Sequence, residues 1–351
     1  MLFEEYKRIE AINAHILKTV KNPRELYDTL HNPGKFVVTG FIIVGDAVDC
    51  LITSPTTFKN RFIINLNVET PTDTLVKIIN NTIATINTLS TFNSETVLND
   101  DEIVDILVKE SIKSNYQGKW TMPTRVTNIR ESCLAYTKVL LKAKAENKLI
   151  IDKESFQNIK KSYRLFRTDA DPNIQKEYKE GDRQVHYQYY IKWFVNVEGE
   201  EKECKSLIDI LEINFAQKTI RVNDLKVTAI SALSFHYDIV SNDHILQAAF
   251  YYDAVQYMIE HYPEFEGFTQ LEPRFIVVSY TSNQVIHYVF PEALIDVGRL
   301  GKSDYTIPYM GYLERIEALM YHVKTGNFRY PFYCIERSRH ITLKTFANDC
   351  I

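Results

Sequence analysis

Residues Lys205 to Ala229 read KSLIDILEINFAQKTIRVNDLKVTA, and the fold turns on how this stretch is read. Apolar and polar residues alternate on both sides of a polar centre. β-Branched residues are dense: Ile208, Ile210 and Ile213 before the centre, and Thr219, Ile220, Val222, Val227 and Thr228 after it. Alternation with period two marks a strand, and two such runs joined by a few polar residues mark a hairpin. Successive side chains point to opposite faces. One face of the first strand therefore carries Leu207, Asp209, Leu211, Ile213 and Phe215, and one face of the second carries Ile220, Val222, Asp224, Lys226 and Thr228. These are the more apolar faces and are expected to point at the core, yet three charges sit on them. Opposed residues of a hairpin share a face. A turn centred on Ala216 and Gln217 sets Asp209 against Asp224. A turn centred on Gln217 and Lys218 sets Asp209 against Lys226, with Asp224 diagonal. In either register two carboxylates and an amine meet at the end of a mostly apolar face, where unpartnered charges are costly.

Two explanations follow. The plainer one is a buried salt bridge with Lys226 between the two aspartates. The other is a divalent-metal site, since paired aspartate oxygens suit Mg²⁺ or Mn²⁺ and a neighbouring lysine can orient a water or stabilise developing negative charge. The pattern Asp209, hairpin turn, Asp224-Leu225-Lys226-Val227-Thr228 resembles the core of the PD-(D/E)XK nucleases, closest to the phage and prophage exonuclease VIII-like branch. Two further segments resemble the same branch. Gly45-Asp46-Ala47-Val48-Asp49-Cys50-Leu51-Ile52, then Pro55 and Phe58, is similar to an N-terminal helix that packs beside the active site. Asp49 stands where many relatives place a metal-ligating histidine, and Asp46 is an alternative one turn away. Gln247 and Tyr251, four apart on one helix face, resemble the helix that follows the Asp-x-Lys strand. The sequence LLKAKAENKLIIDKESFQNIKKS (140–162) is similar to the branch's helical insert, and GYLERIEALMYHVKTGNFRYP (311–331) to its terminal helix.

The resemblance implies an α/β (α+β) fold, a restriction-endonuclease-like mixed sheet flanked by helices with a helical N-terminal layer. It implies a mainly helical part over 1–170, with the Gly45–Leu51 segment and the basic insert, a catalytic core over 171–331 and a tail over 332–351, together one compact unit. It implies a Mg²⁺-dependent deoxyribonuclease, with Mn²⁺ as a substitute, degrading duplex ends to 5′-phosphate products in phage recombination or DNA processing. Asp209, Asp224, the Leu225 carbonyl and Asp49 are the implied ligands, and Lys226, Gln247 and Tyr251 the implied catalytic groups. Implied partners are double-stranded DNA ends and a single-strand annealing protein, and some relatives form rings of identical subunits around DNA. The alternative is a catalytically inactive DNA-binding or regulatory member of the same superfamily.

Composition bounds these readings. The chain of 351 residues is 45% hydrophobic and 25% charged, ordinary for a soluble globular protein. No apolar run approaches the ~20 residues of a membrane span, and MLFEEYKRIEAINAHILKTVK reads as a charged amphipathic helix rather than a signal peptide. The five cysteines, Cys50, Cys133, Cys204, Cys334 and Cys350, are scattered, which argues against a zinc ribbon, a disulfide framework or an iron–sulfur cluster and fits a reduced cytoplasm. Net charge is −4, but residues 138–167 carry +6 and residues 315–344 carry +4, leaving −14 for the rest. Lys138, Lys142, Lys160, Lys161, Arg164, Lys324 and Arg329 are the candidate DNA contacts of these tracts. Solvated helix faces explain such tracts as readily. No Walker loop, Gly-x-Ser-x-Gly or His-Glu-x₂-His is present, so nucleotide hydrolases, serine hydrolases and zincins have no support.

Along the chain, the pattern predicts helices over 1–32 with a break at Asn22-Pro23. It predicts a strand over 58–65 and helices over 70–110, with a capped start at Ser94-Glu95. Further helices are predicted over 124–147 and up to Arg167. Strands are predicted near 185–197, 204–215, 219–228, 274–282 and 284–290. A helix over 243–261, capped by Ser241 or Asn242, follows the third of these. Last come a helix from Pro291 to Gly301 and one over 308–325 that stops at Gly326.

Overall fold

The computed structural model of the chain describes residues 10–32, 40–92, 98–302 and 309–336. The chain forms two compact units, one of residues 1–55 and 160–351, the other of residues 56–159. The first opens with α1 (Ala14–Thr19) and α2 (Pro23–His31). Asparagine side chains cap both, Asn13 accepting from the Ile16 N–H and Asn22 from that of Glu25. Pro23 takes the first helical position of α2, where no N–H is missed. Helix α3 (Gly40–Thr53) runs up to Ser54-Pro55, which cannot continue it.

The second unit begins with α4 (Phe58–Arg61) and β1 (Phe62–Ile64). The strand predicted over 58–65 is therefore only three residues long. Phe58 and Phe62 lie one helical turn apart with ring centroids at 4.9 Å, and this packing winds the first four residues. Helices α5 (Asp73–Phe92), α6 (Asp100–Lys113) and α7 (Met122–Ala145) follow, then β2 (Leu149–Ile151), which pairs in parallel with β1. The cap predicted at Ser94-Glu95 lies outside the described residues. The helix itself starts at Asp100 with a capping box between Asn99 and Glu102. Ile78, Ile79, Leu107, Ile129 and Cys133 make this unit's core. Helix α8 (Lys153–Asp169) runs from the second unit back into the first.

The first unit then builds β3 (Arg183–Val197), β4 (Glu200–Asn214), β5 (Thr219–Thr228), α9 (Phe235–Ser241), α10 (His244–His261), β6 (Thr269–Gln270), β7 (Arg274–Ser279), β8 (Gln284–Val289), α11 (Glu292–Leu300), α12 (Tyr312–Thr325) and α13 (Phe332–Glu336). The sheet order is β3-β4-β5-β7-β8, with short β6 also beside β5. The chain is a mixed α/β protein: within this sheet β5–β7 and β5–β6 are parallel, and the other pairs antiparallel. Parallel neighbours need a crossover connection, and α9 and α10 provide it between β5 and β7. Among the described residues no helix is long and apolar enough to cross a membrane.

Helix α10 is the centre of the main core. Ile245, Leu246, Ala248, Ala249, Phe250, Ala254, Val255 and Met258 are all buried. Phe250 meets Trp193 of β3 edge-on at 4.7 Å and Tyr312 of α12 at 5.5 Å. Gly298 lets α11 lie directly on α10. A Cβ there would fall on the Ile245 carbonyl and come within 2.7 Å of the Ala249 methyl. Neither predicted cap of α10 is used. The N-cap is Asp243, in the left-handed region at φ 52°, and its side chain caps nothing. That carboxylate is instead taken by Arg315 of α12.

Candidate active site

The hairpin register resolves the two turns. Asn214 pairs with Thr219, Ile213 with Ile220 and Ile210 with Asn223, so the turn centres on Ala216-Gln217 and Asp209 stands across from Asp224. The Asn214 side chain accepts from the Gln217 N–H at 3.0 Å, and Lys218 closes the turn at φ 49°. The β4–β5 ladder ends at Ile210–Asn223. Beyond it the Leu225 N–H is donated to Asp209 Oδ2 at 2.9 Å, a carboxylate replacing the backbone acceptor of a continued ladder. In β5, Leu225 stands next to Ile276 of β7.

One face of each strand was expected to be the core face throughout. In β4 this holds only beyond Asp209. Leu211 and Ile213 join the main core there, but before it Cys204 and Ile208 do, not Leu207. A shift of one residue moves a strand's side chains to the opposite face. The change coincides with an irregularity on β3. Gln188, whose place in the register is opposite Asp209, has φ 50°, a left-handed residue inside a strand, while the pairs on both sides keep one register. Such backbone is uncommon and costs ~1–3 kcal/mol. Gln188 is buried, and its Nε2 donates to Thr53 Oγ1 at 3.2 Å. Thr53 in turn donates to the Asp49 carbonyl at 2.8 Å. Gln188 thus ties the end of α3, the helix that carries Asp49, to the sheet beside Asp209.

Asp224 is 1% exposed. Its Oδ1 accepts from Gln247 Nε2 at 2.7 Å, and its Oδ2 lies 2.5 Å from Lys226 Nζ. Lys226 lies over the Phe275 ring at 4.9 Å and reaches Gln247 Oε1 at 3.5 Å. Asp209, Asp224, Lys226 and Gln247 are therefore one connected group. Burial pushes the Asp209 carboxyl well above its usual value, the charges of Asp224 and Asp49 add to the effect, and Lys226 opposes it. Of the two α3 carboxylates, Asp49 is the one whose charge bears on Asp209; Asp46 lies one turn earlier, half-buried. Tyr251, one turn beyond Gln247, packs against the main core.

These donors suit a hard divalent cation. They are carboxylate oxygens, one deeply buried, and their mutual repulsion is what a cation relieves. Among the described residues no three His, Cys, Asp or Glu side chains form a metal-ligand group. The ligands on offer are thus the opposed pair Asp209 and Asp224 with backbone oxygen beside them, and Asp49 acts on Asp209 through its charge.

Sequence reading missed a second lysine. Lys18 of α1 donates to Gln247 Oε1 at 2.8 Å and lies 3.4 Å from His244 Nδ1. Burial and then the Lys226 charge bring its ammonium down to about 7. Burial, Lys226 and Lys18 together push His244 down to about 2, so its ring is neutral. The only signal in the sequence was a lysine amid the apolar residues of a capped helix, Leu17 and Val20.

The basic tracts divide between the units. In the second, Lys138 is paired with Asp100 at 2.9 Å and Lys142 stands 4.0 Å from Glu146. In the first, Lys160, Arg164, Lys324 and Arg329 are exposed and Lys161 is half-buried. Arg315, counted in the second tract, is no surface cation. It is 2% exposed and bound to Asp243. Arg337, Arg339 and Lys344 lie outside the described residues.

No protein-family model matches the chain, and no curated protein matches it. A solved structure described as the crystal structure of SSO0001 aligns with it at 9% identity over 75% of this chain and 89% of that one, with a TM-score of 0.24. A likeness of that strength carries no argument about fold or function.

Proposed function

We propose that the chain is a metal-dependent deoxyribonuclease that hydrolyses the phosphodiester backbone, acting from duplex ends and leaving 5′-phosphates. The observation that carries this reading is the connected group of Asp209, Asp224, Lys226 and Gln247 where the β4–β5 ladder ends. The resemblance of the Asp224-x-Lys226 hairpin to PD-(D/E)XK nucleases supplies the reaction type. Asp209 and Asp224, with the Leu225 carbonyl, would hold Mg²⁺ or Mn²⁺, with the Asp49 charge beside them. A cation held there would lower the pKa of a bound water and neutralise phosphate charge. Lys226 would orient the attacking water or stabilise the negative charge that builds on phosphorus-bound oxygen. Gln247 holds Lys226 and Asp224 in register with one amide, accepting from the first and donating to the second.

The rival reading is a buried ion pair without catalysis, in a protein that binds DNA uncut. The 2.5 Å contact between Lys226 and Asp224 favours it. Digestion of linear against circular duplex in Mg²⁺, with end-labelled substrates, separates the two. The nuclease reading expects loss of the linear form, and loss of that activity in Lys226→Ala with DNA binding retained. Intact duplex at millimolar Mg²⁺ and Mn²⁺, or full activity in Lys226→Ala, overturns it.

A further inference from the structure

Among the described residues, Lys18 sits where cations crowd together, near two carboxylates that other groups already hold. Its Nζ is held by Gln247 Oε1, the oxygen that Lys226 also reaches. Two ammonium groups therefore converge on one amide oxygen, and like charges brought together away from water are unfavourable. Among the described residues Lys18 forms no ion pair. The nearby carboxylates are already engaged, Asp224 by Lys226 and Gln247, and Asp243 by Arg315 and Lys21. The remaining charge near Lys18 is Arg315, a third cation.

Nor does Lys18 lie there by slack. Asn13 caps its helix, and Leu17, Thr19 and Val20 around it are buried. The Arg315 guanidinium donates to the Leu17 carbonyl at 3.3 Å and to that of Lys18 at 3.5 Å. The backbone that presents the ammonium is thus fixed from α12, while the ammonium itself sits in a cationic corner beside Asp224. Such a corner is favourable once an anion joins it, and a phosphate diester offers two non-bridging oxygens for two ammonium groups.

We propose that Lys18 is a second phosphate-contacting residue of this site, paired with Lys226 through Gln247, and that the two lysines share the non-bridging oxygens of one backbone phosphate. The proposal rests on the nuclease reading for the identity of the phosphate but is tested apart from it. Lys18→Met, Lys18→Arg and wild type are compared in three measurements: fluorescence anisotropy with a labelled 20-base-pair duplex in Ca²⁺ over a salt series, kcat and KM on linear duplex in Mg²⁺, and thermal melting. Lys18→Met is expected to bind about tenfold more weakly, with a salt slope shallower by about one, to lose kcat/KM in proportion, and to melt higher because a crowded charge is gone. Lys18→Arg should recover most of the binding. Unchanged binding in Lys18→Met overturns the proposal. So does a lower melting temperature with no rescue by arginine, which marks a structural lysine. If wild type binds the duplex but never cuts it, the nuclease reading fails, while the binding arm still decides Lys18. If wild type does not bind, both fail.

Discussion

Replacing Arg315 by methionine tests how the site is held. The guanidinium lies within the first unit and is 2% exposed. It grips Asp243 through both oxygens at 2.8 and 3.1 Å and donates to the carbonyls of Met310, Leu17 and Lys18. It thereby joins α12 to α1 and to the start of α10, the helices that carry Lys18 and Gln247. Burial pushes the Asp243 carboxyl up, but Arg315, with Lys21, outweighs burial and holds it below its usual value. Removing one partner of a buried pair leaves an uncompensated charge and costs ~3–5 kcal/mol. Lys21, about half exposed, still reaches Asp243 at 2.7 Å and offsets part of this, so we take the lower end. For a unit of roughly 250 residues the unfolding entropy is about 0.5 kcal/mol/K. A loss of about 3 kcal/mol then lowers Tm by about 6 °C. The assay is thermal and urea unfolding of wild type, Arg315→Met, Asp243→Asn and the double variant. Because the charges penalise each other's absence, the double variant should be less destabilised than the two singles added together. A fall under about 2 °C in Arg315→Met, or strict additivity in the double variant, refutes the reasoning.

Further outcomes are expected at the site and around it. His244 stays neutral in the folded chain down to about pH 2, while the unfolded chain takes a proton near 6.5, so stability falls as pH drops below 6.5, by about 1.4 kcal/mol per unit. Urea midpoints from pH 6.5 to 4.5 should fall less steeply in His244→Phe than in wild type; equal slopes would sink the idea. Asp209→Asn removes a carboxylate that burial and two neighbours oppose. That variant should melt higher than wild type without metal and lose the rise in Tm that Mg²⁺ gives wild type, a rise that EDTA should reverse. Gln247→Leu leaves Asp224 Oδ1 without its donor and should cost ~1–3 kcal/mol along with cleavage, read by melting and by duplex digestion. Gly298→Ala forces α11 off α10 and should cost ~1–3 kcal/mol while leaving the site's chemistry in place, so a neutral effect on melting would contradict the close packing seen there.

What the sequence determined by itself is local. Period-two alternation marks β5 to the residue and the end of β4 within one, though β4 begins at Glu200, four residues before its predicted start, because side chains alternate along any strand whatever surrounds it. The spacing of Asp209, Asp224 and Lys226 across one turn, and the position of Gln247 on the next helix, were legible for the same reason. Only the tertiary structure decided the rest. Lys18 reaches Gln247 across 229 residues of chain, a distance over which no periodicity speaks. The change of core face at Asp209 falls opposite the left-handed backbone of Gln188 in a neighbouring strand. Asp243 sits where a cap belongs, but Arg315, 72 residues on, claims its carboxylate, because a buried bidentate pair outweighs a cap worth about 1 kcal/mol. Strand and helix periods follow from backbone geometry within a few residues. The partners of buried charges are set by whichever distant groups the folded chain brings within 3 Å or so.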